Sequence, residues 1–382
     1  MNRLDLSSTR SQAMTVYQSP LTGQIAHDPV SYVHPMKRAV PLRSSLHSSG
    51  EDGAVKAIVR DRWGGPEVVR LDEIPTPEPA AGEVLIRIHA ASVNRADLDA
   101  LEPRPGFLRV FLGIRAPRTR RVGIDVAGTV QKSGDGATRF KAGDRVFTDL
   151  FTTGSAGSFA EYIAVPERVL QPIPDGMSFE IAATLPHSSI LALQGLRTRS
   201  GQTVQPGSKV LIGGASGNVG PFAVQIAKHL GAEVTGVART EKLDFVRSLG
   251  ADHVIDYTIT DYTATGERYD WIVDTDSHQS IRHVRRSLRD GGRYLSLGGD
   301  SLPLFEAILL GPLLSLGSSR RAGLMLWWKP FHAPDVATVT ELVQSGAVTP
   351  RIDRRYPLSE TADALRWVDD GHAKGKVVIT IA

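Results

Sequence analysis

The sequence predicts an α/β fold in which a β-rich module precedes a doubly wound parallel sheet covered by helices. Three observations lead to this prediction. Short β-branched runs between Gly and Pro turns fill residues 55–166, and the hydrophobic period becomes helical over 179–200. From residue 209 onward, strand-like and helix-like segments alternate. Strands that alternate with helices form parallel sheets with both faces covered.

The strands of the second module are short apolar runs, and helix-period segments separate most of them. The predicted strands are KVLIG (209–213), AEVTGV (232–237), HVID (253–256), YDWIVD (269–274) and GRYLSL (292–297). The predicted helices are PFAVQIAKHL, EKLDFVRSL and HQSIRHVRRSL. Residues 334–382 add two helical segments, VATVTELVQSG and SETADALRWVDDG, and a final strand, KVVITI.

Composition excludes several classes of protein. The 382 residues contain no cysteine, which rules out disulfides, Cys-ligated zinc, iron–sulfur clusters and thiolate nucleophiles. With 44 Lys+Arg against 41 Asp+Glu, the formal net charge of +3 does not indicate nucleic acid as a partner. No run reaches the roughly 18 apolar residues of a membrane span, and the start lacks a secretory signal. We therefore expect a cytoplasmic protein.

Residues 1–53 differ in character from the rest of the chain. They are rich in Ser, Thr, Pro and His and show no sustained period, which predicts a disordered N-terminal tail. Two alternatives stay open at this point. The segment is a targeting or partner-binding arm, or translation really begins near Met36 or Val55.

The strongest functional signal is a glycine loop between a predicted strand and a predicted helix. Gly214, Gly217 and Gly220 follow KVLIG directly, and Pro221 suits the first turn of the helix. Glycines in this context let the backbone approach a pyrophosphate, whose charge then faces the helix N-terminus. We interpret the loop as a dinucleotide site; the alternative is a structural glycine turn.

The residues after the second strand indicate which dinucleotide binds. An NAD site usually carries an acid about twenty residues after the loop, but this chain carries Arg239, with Lys242 close by. Two cations suit a 2′-phosphate because an arginine offers a forked, charged donor. The sequence therefore predicts NADPH, with the alternative that Arg239 is solvated and Glu241 binds a ribose hydroxyl.

Several segments together resemble the zinc-independent quinone oxidoreductase branch of the medium-chain dehydrogenase/reductase superfamily. They are GGASGNVGPFAVQIAKHLGAEVTGV, VRSLGADHVIDY and GHAKGKVVIT. The resemblance begins near Val55 and reaches the C-terminus. It implies a GroES-like catalytic domain over 54–178, completed by 330–382, and a Rossmann domain over 179–329, with the substrate and nicotinamide in the cleft between them.

Zinc-dependent relatives hold a catalytic metal with a Cys in the segment that here reads ASVNRAD and a Gly-His-Glu where this chain reads GIDVAG. This chain has Asn94 at the first place and Ile124-Asp125 at the second. The resemblance thus implies an enzyme without a metal. Because no Lewis acid would polarise a simple ketone, we expect hydride transfer from NADPH to an electron-poor acceptor, a quinone or an α,β-unsaturated carbonyl.

The resemblance also implies which residues form the site. Asn94 and Asp97 correspond to polar residues at the mouth of the cleft, where they would bind the acceptor or relay a proton. The alternatives are that both satisfy a turn and that the proton comes from solvent. The implied cofactor contacts are Gly214, Ser216, Gly217, Asn218, Val219, Gly220, Arg239, Lys242, Tyr257, Thr275, His372 and Lys374.

Two departures from the relatives have no assigned role. LPHSSILALQGL places His187, Ser188 and Ser189 where relatives usually carry small apolar residues, and Asp276 adds an acid after the fourth Rossmann strand. A second function from another class also stays open, a nucleotide-binding structural or regulatory protein with little turnover. The sequence leaves a homodimer open as well.

Overall fold

Two large β-sheets organise the chain in the computed structural model, which describes residues 53–103, 113–153 and 156–382. The first sheet has the order β14-β15-β3-β4-β5-β7, and β6 also pairs with β3. A two-stranded antiparallel ribbon, β1 with β2, accompanies it. The ranges are β1 Ala54–Val59, β2 Arg70–Pro75, β3 Glu83–Val93, β4 Asp125–Ser133, β5 Arg145–Asp149, β6 Tyr162–Pro166, β7 Gln171–Pro172, β14 Ile352–Pro357 and β15 Lys376–Thr380. The predicted tail, apart from Gly53, lies outside the described residues.

The second sheet is parallel throughout, in the order β10-β9-β8-β11-β12-β13. Its strands are β8 Lys209–Gly213, β9 Glu233–Ala238, β10 His253–Asp256, β11 Tyr269–Asp274, β12 Leu288–Ser296 and β13 Arg321–Leu324. This arrangement confirms the predicted fold class. The sequence did not predict β13 or β14, because neither short segment shows the alternation of a half-buried strand.

Nine α-helices lie in the described part of the chain. They are α1 Arg95–Leu101, α2 Phe179–Thr184, α3 Ser188–Gly195, α4 Gly220–His229, α5 Leu243–Ser248, α6 Ile281–Arg286, α7 Ser301–Ser315, α8 Ala333–Gln344 and α9 Thr361–Asp369. The helical period predicted over 179–200 is divided into α2 and α3 by the segment around Pro186, which lacks the N–H that a continuous helix would need. Among the described residues, no helix is both long and apolar enough to cross a membrane.

The C-terminal segment joins the N-terminal module through β15, which pairs antiparallel with β3. The described residues, from Gly53 onward, belong to one compact unit that contains both sheets. Helix α3 packs against α4, the helix that follows the glycine loop. The Asn218 amide donates to the Val93 carbonyl at the end of β3, at 3.0 Å. The glycine loop therefore lies directly against the first module.

Candidate active site

The glycine loop is crowded at two of its three glycines and open at the third. Gly214 has φ +65°, in the left-handed region, and a Cβ there would collide with the Thr275 hydroxyl. A Cβ on Gly220 would collide with the Gly214 carbonyl and the Ala215 backbone, so the start of α4 approaches the loop closely. At Gly217 only the Gly214 carbonyl lies within 4 Å, at 3.5 Å. The loop is therefore open where a phosphate would approach.

The remaining predicted loop residues bind the protein itself. The Ser216 carbonyl accepts a hydrogen bond from the Gly375 amide at 3.0 Å, and Asn218 donates to β3. Val219 immediately precedes α4 and packs partly buried on the core beneath the loop. The Thr275 hydroxyl donates to the Gly213 carbonyl at 2.9 Å. These contacts fix the shape of the loop, and so do two of its own backbone amides, since Ala215 donates to the Val237 carbonyl at 3.0 Å and Gly217 to the Gly214 carbonyl at 3.1 Å.

Arg239 and Tyr257 lie at the carboxyl edge of the parallel sheet, just beyond β9 and β10. The Arg239 Nε donates to the Tyr257 hydroxyl at 2.7 Å, and both side chains are exposed. The neighbouring acid, Asp256, is engaged instead by Thr240 and Thr258. No described carboxylate forms an ion pair with Arg239 within 4.0 Å, so its terminal nitrogens are available to an anion.

Lys242 is placed differently from the sequence-based prediction. Its side chain is buried, and its Nζ donates to the carbonyls of Gly371 at 2.6 Å and Ala373 at 2.7 Å. Burial lowers the pKa of Lys242, and the nearby charge of Arg239 lowers it further. In this structure Lys242 anchors the C-terminal loop over 371–375, and its role as a phosphate ligand stays a prediction.

The other predicted residues of that loop also stay predictions. The His372 ring packs on the Trp367 ring, with 4.7 Å between their centroids. The Arg354 guanidinium also lies over the Trp367 ring, 3.5 Å from its centroid. Lys374 is half-buried and lies close enough to lower the pKa of Lys242. The segment is thus held beside the glycine loop through Gly375.

Asn94 and Asp97, the predicted catalytic residues, are both buried at 1% exposure. The Asp97 carboxylate accepts from the Asn94 backbone amide at 2.8 Å and so caps α1. The second Asp97 oxygen, Oδ1, has no hydrogen-bond partner among the described residues. The Asn94 amide contacts Asp125, Ser188 and Lys376 instead of facing open space. Contact of either residue with an acceptor stays a prediction, while a positioning role is visible in the structure.

A buried lysine lies at the centre of this polar cluster. Lys376, at the start of β15, is fully buried, and its Nζ contacts the Asn94 Oδ1 at 2.6 Å. It also donates to the Ser188 hydroxyl at 3.1 Å and to the Asp125 Oδ2 at 3.3 Å. Asp125, also fully buried, accepts further from the Asn94 amide at 2.8 Å and from Ser92 at 2.7 Å. The lysine charge is therefore neutralised within the fold.

His187 extends the cluster toward a wall of aromatic side chains. Its backbone amide donates to Asp125 Oδ1 at 3.1 Å, and its Nδ1 lies 3.0 Å from Asp149 Oδ2. Asp125 and Asp149 are direct neighbours on β4 and β5. The imidazole lies against Trp328 at 5.2 Å and Phe151 at 5.9 Å between ring centroids.

Burial is the largest influence on the pKa values in this cluster. Burial raises the pKa of Asp97 to about 7, although the hydrogen bond from the Asn94 amide acts to lower it. Burial lowers the pKa of Lys376, although the negative charge of Asp125 acts to raise it. For His187, burial opposes the charge, but the charge and hydrogen bond of Asp149 outweigh it, so the pKa is raised above 6.5.

The acid that departs from the relatives, Asp276, belongs to a separate exposed group. His278 bridges Asp276, 3.2 Å from its Nε2, and Asp300, 2.9 Å from its Nδ1. The hydrogen bond to Asp276 raises the pKa of His278 to about 9, and Asp300 adds to the effect. This ion-pair group lies beside Thr275 and the glycine loop.

The donor set does not fit a catalytic zinc. The resemblance compares Asn94 and Asp125 with the ligand positions of zinc-dependent relatives, but in this chain the Asn94 Oδ1 and the Asp125 Oδ2 bind the Lys376 ammonium. No cluster of three or more His, Cys, Asp or Glu side chains in the described ranges could hold a metal ion, and the sequence contains no cysteine. The ammonium group of Lys376 lies between the Asn94 and Asp125 side chains.

Sequence reasoning did not predict Lys376 or Asp149 as site residues, and it did not predict that Asp125 would pair with a buried lysine. It selected Lys374, two residues earlier, from the same GHAKGK motif. A usable signal existed, because each missed residue is a charge inside or at the end of an otherwise apolar strand run. Charged residues in such runs are almost never fully buried unless they are paired.

Two family models match the chain. The model described as "Alcohol dehydrogenase GroES-like domain" matches residues 80–175. The model described as "Zinc-binding dehydrogenase" matches residues 249–379. Their order along the chain agrees with the two sheets described above.

Curated relatives and solved structures extend the match to most of the chain. A chloroplast envelope quinone oxidoreductase homolog of Arabidopsis thaliana is 31% identical over 83% of this chain and 95% of its own length. An NADPH-dependent alkenal/one oxidoreductase of the same plant is 31% identical over 85% of this chain and 79% of its own length. The structure of the quinone oxidoreductase from Coxiella burnetii has a TM-score of 0.76 and 27% identity, covering 86% of this chain and all 100% of its own. The chain is thus an oxidoreductase enzyme and belongs to the quinone oxidoreductase-like branch of the medium-chain dehydrogenase/reductase superfamily.

Proposed function

We propose that this enzyme uses NADPH to reduce a quinone or an α,β-unsaturated carbonyl without a metal ion. The observation that carries the cofactor preference is Arg239. Its guanidinium follows β9, its Nε is bound to Tyr257, and no described acid pairs with it. A ribose hydroxyl is normally bound there by a carboxylate, whereas a 2′-phosphate is bound by an arginine.

The glycine loop and the C-terminal loop would hold the cofactor together. The glycine loop, whose backbone is open at Gly217, would receive the pyrophosphate at the start of α4. The loop over 371–375, which Lys242 anchors, adjoins Arg239, because a Cβ on Gly371 would lie 3.8 Å from the guanidinium. When bound, a reduced nicotinamide supplies a hydride.

The acceptor class is proposed from the relatives and from the buried cluster. The relatives include quinone oxidoreductases and an alkenal/one oxidoreductase. In this chain the Lys376 ammonium is held by Asn94, Ser188 and Asp125, so these side chains are already engaged and are not free to bind a metal. We propose that Asn94 and Asp97 act by holding that arrangement, because both are buried.

The test is a comparison of cofactors and acceptors on the purified protein. NADPH and NADH are titrated separately, and oxidation of each is followed with a quinone, an alkenal, a cyclic enone and a simple ketone. We expect tighter binding of NADPH, and turnover with the electron-poor acceptors but not with the ketone. Equal affinities would contradict the cofactor assignment, and turnover of the ketone alone would contradict the acceptor class.

A homodimer and a cytoplasmic location are parts of the same proposal. Strand β13 lies at the edge of the parallel sheet, and α7 beside it exposes Leu302, Leu309 and Leu313. An unpaired edge next to an apolar helix face suits a second copy of this chain. The absence of cysteine fits a reducing compartment. Light scattering of the full chain and cell fractionation test the two statements.

A further inference from the structure

The pair formed by His187 and Asp149 has the arrangement of a proton donor and its positioning residue. The Nδ1 of His187 lies 3.0 Å from the Asp149 carboxylate, which orients the ring and stabilises its protonated form. Asp149 is itself fixed, because its other oxygen accepts from the Phe151 amide at 2.8 Å. The remaining ring nitrogen, Nε2, makes no hydrogen bond to a described residue.

The surroundings of the ring differ from those of a core histidine. His187 is buried, with 7% of its surface exposed, but the neighbouring Phe151 is 47% exposed. The Trp328 ring lies 5.2 Å from the imidazole and 4.9 Å from the Phe151 ring between centroids, so the two aromatic rings adjoin each other beside His187. Flat aromatic surfaces are suited to a planar conjugated acceptor. The histidine thus lies at the border between a saturated polar cluster and an aromatic wall.

The cluster also connects His187 to the glycine loop. The next residue, Ser188, binds Lys376 at 3.1 Å. The residue before Lys376, Gly375, donates to the Ser216 carbonyl of the glycine loop at 3.0 Å. His187 is therefore fixed, through contacts of neighbouring residues, to the loop that would hold the cofactor.

We propose that His187 is the general acid of this enzyme and that Asp149 is its positioning residue. This proposal rests on the proposed function. Reduction places a hydride, two electrons with one hydrogen nucleus, on an electrophilic carbon of the acceptor, and the displaced π electrons move to the oxygen. The Nε2–H bond of the imidazolium then breaks, and the proton bonds to the anionic oxygen or its conjugated carbon. Water returns a proton to the neutral ring.

Four titratable groups face His187 from the surrounding strands and helix. Asp149 and Asp125 favour the charged ring, and Lys376 disfavours it. Asp97 at the start of α1 also interacts with the ring. The net pKa lies above its ordinary value of 6.5, so the imidazolium persists near neutral pH. Activity should accordingly fall as the pH rises through the pKa of His187.

The first experiment compares His187→Gln with wild type and with His89→Gln as a matched control. His89 is half-buried on β3 and stacks on Phe179, outside the cluster. We expect kcat of His187→Gln to fall by roughly 100-fold to 10,000-fold, the usual contribution of a general acid. NADPH affinity should stay near wild type, and the fall of activity at high pH should vanish. Tm should fall, because buried Asp149 loses its charged partner. Added imidazole should restore part of the rate of His187→Ala. Loss of rate with an unchanged pH profile and no rescue would overturn the proposal.

The second experiment uses the cofactor-free protein and so stands apart from the proposed function. The pKa of His187 is measured by NMR on histidine-labelled full-length chain, with His187→Gln identifying the signal. We expect a pKa above 6.5 that falls in Asp149→Asn, and a parallel shift of the activity profile to lower pH. An unshifted value in Asp149→Asn would overturn the proposal even if the His187 variants fail to fold. If wild type reduces no quinone or enone while the titration behaves as expected, the proposed function fails and the charged pair remains.

Discussion

The buried cluster around Lys376 and the exposed carboxyl edge of the parallel sheet around Arg239 use basic side chains in opposite ways. Lys376 is fully buried and its ammonium is surrounded by Asn94, Ser188 and Asp125. Arg239 is exposed and binds only the Tyr257 hydroxyl among the described residues. A charge that is satisfied within the fold contributes structure and a fixed field, whereas a charge left in water is available to a ligand.

Removal of the buried cation should have the largest effect on stability. Lys376→Met leaves Asp125 buried without its partner, which costs about 3–5 kcal/mol in the free energy of unfolding. Lys132→Met breaks an exposed pair with Glu78, at 2.8 Å, and should cost about 0–1 kcal/mol. Urea denaturation measures both values.

A double variant sharpens this prediction. Lys376→Met combined with Asp125→Asn leaves no unpaired charge, so it should be more stable than Lys376→Met alone. If Lys376→Met unfolds at the same urea concentration as wild type, the cluster does not hold a paired charge. The contrast drawn here between buried Lys376 and exposed Arg239 would then be wrong.

Removal of the exposed cation should instead change cofactor choice. Arg239→Ala should weaken NADPH binding by about 1.5–3 kcal/mol, the value of a hydrogen bond to a charged group, with little change for NADH. Lys242→Ala should weaken both cofactors equally, because Lys242 binds the carbonyls of Gly371 and Ala373. Arg247→Ala, in which an exposed pair with Asp244 is lost, is the control. Fluorescence titration measures the affinities; an equal loss for both cofactors in Arg239→Ala would remove the 2′-phosphate assignment.

The buried carboxyl of Asp97 should make stability depend on pH. Its pKa is raised to about 7 in the folded chain from 3.8, so the unfolded chain ionises first. Its contribution to stability is therefore complete below about pH 4 and is lost as the pH rises toward 7. In Asp97→Asn the side-chain oxygen can still accept the hydrogen bond from the Asn94 backbone amide, while the carboxylate charge is removed. It should raise stability at pH 8 by about 1–3 kcal/mol, the cost of a buried polar group left unpaired, and change it little at pH 4. Thermal unfolding across pH gives the answer, and a variant that loses stability equally at both values would contradict it.

Metal removal should have the smallest effect. The oxygens of Asn94 and Asp125 that would face a metal bind Lys376, so chelators should leave the turnover of quinone or enone unchanged. Activity before and after treatment with a strong zinc chelator is the measurement. A loss of turnover that zinc alone restores would show that the buried ammonium is not what occupies this place.

The parallel sheet and the glycine loop could be predicted because their signals are local. Strand β8 and the loop from Gly214 to Gly220 depend on short apolar runs, turn residues and a helix start, all adjacent in sequence. The same reasoning missed β13, whose four residues carry no period. Arg239 was located correctly at a strand end because that position follows from the strand's own length.

The sequence by itself determined the fold class, the glycine loop between β8 and α4 and the lack of cysteine ligands. Only the tertiary structure decided that Lys242 is buried under a loop more than a hundred residues away and that Lys376 meets Asn94 and Asp125. The physical reason is that burial and ion pairing depend on which strands become neighbours. β3, β4 and β15 come from distant parts of the chain, and no local pattern of residues specifies which of their charges will lie together.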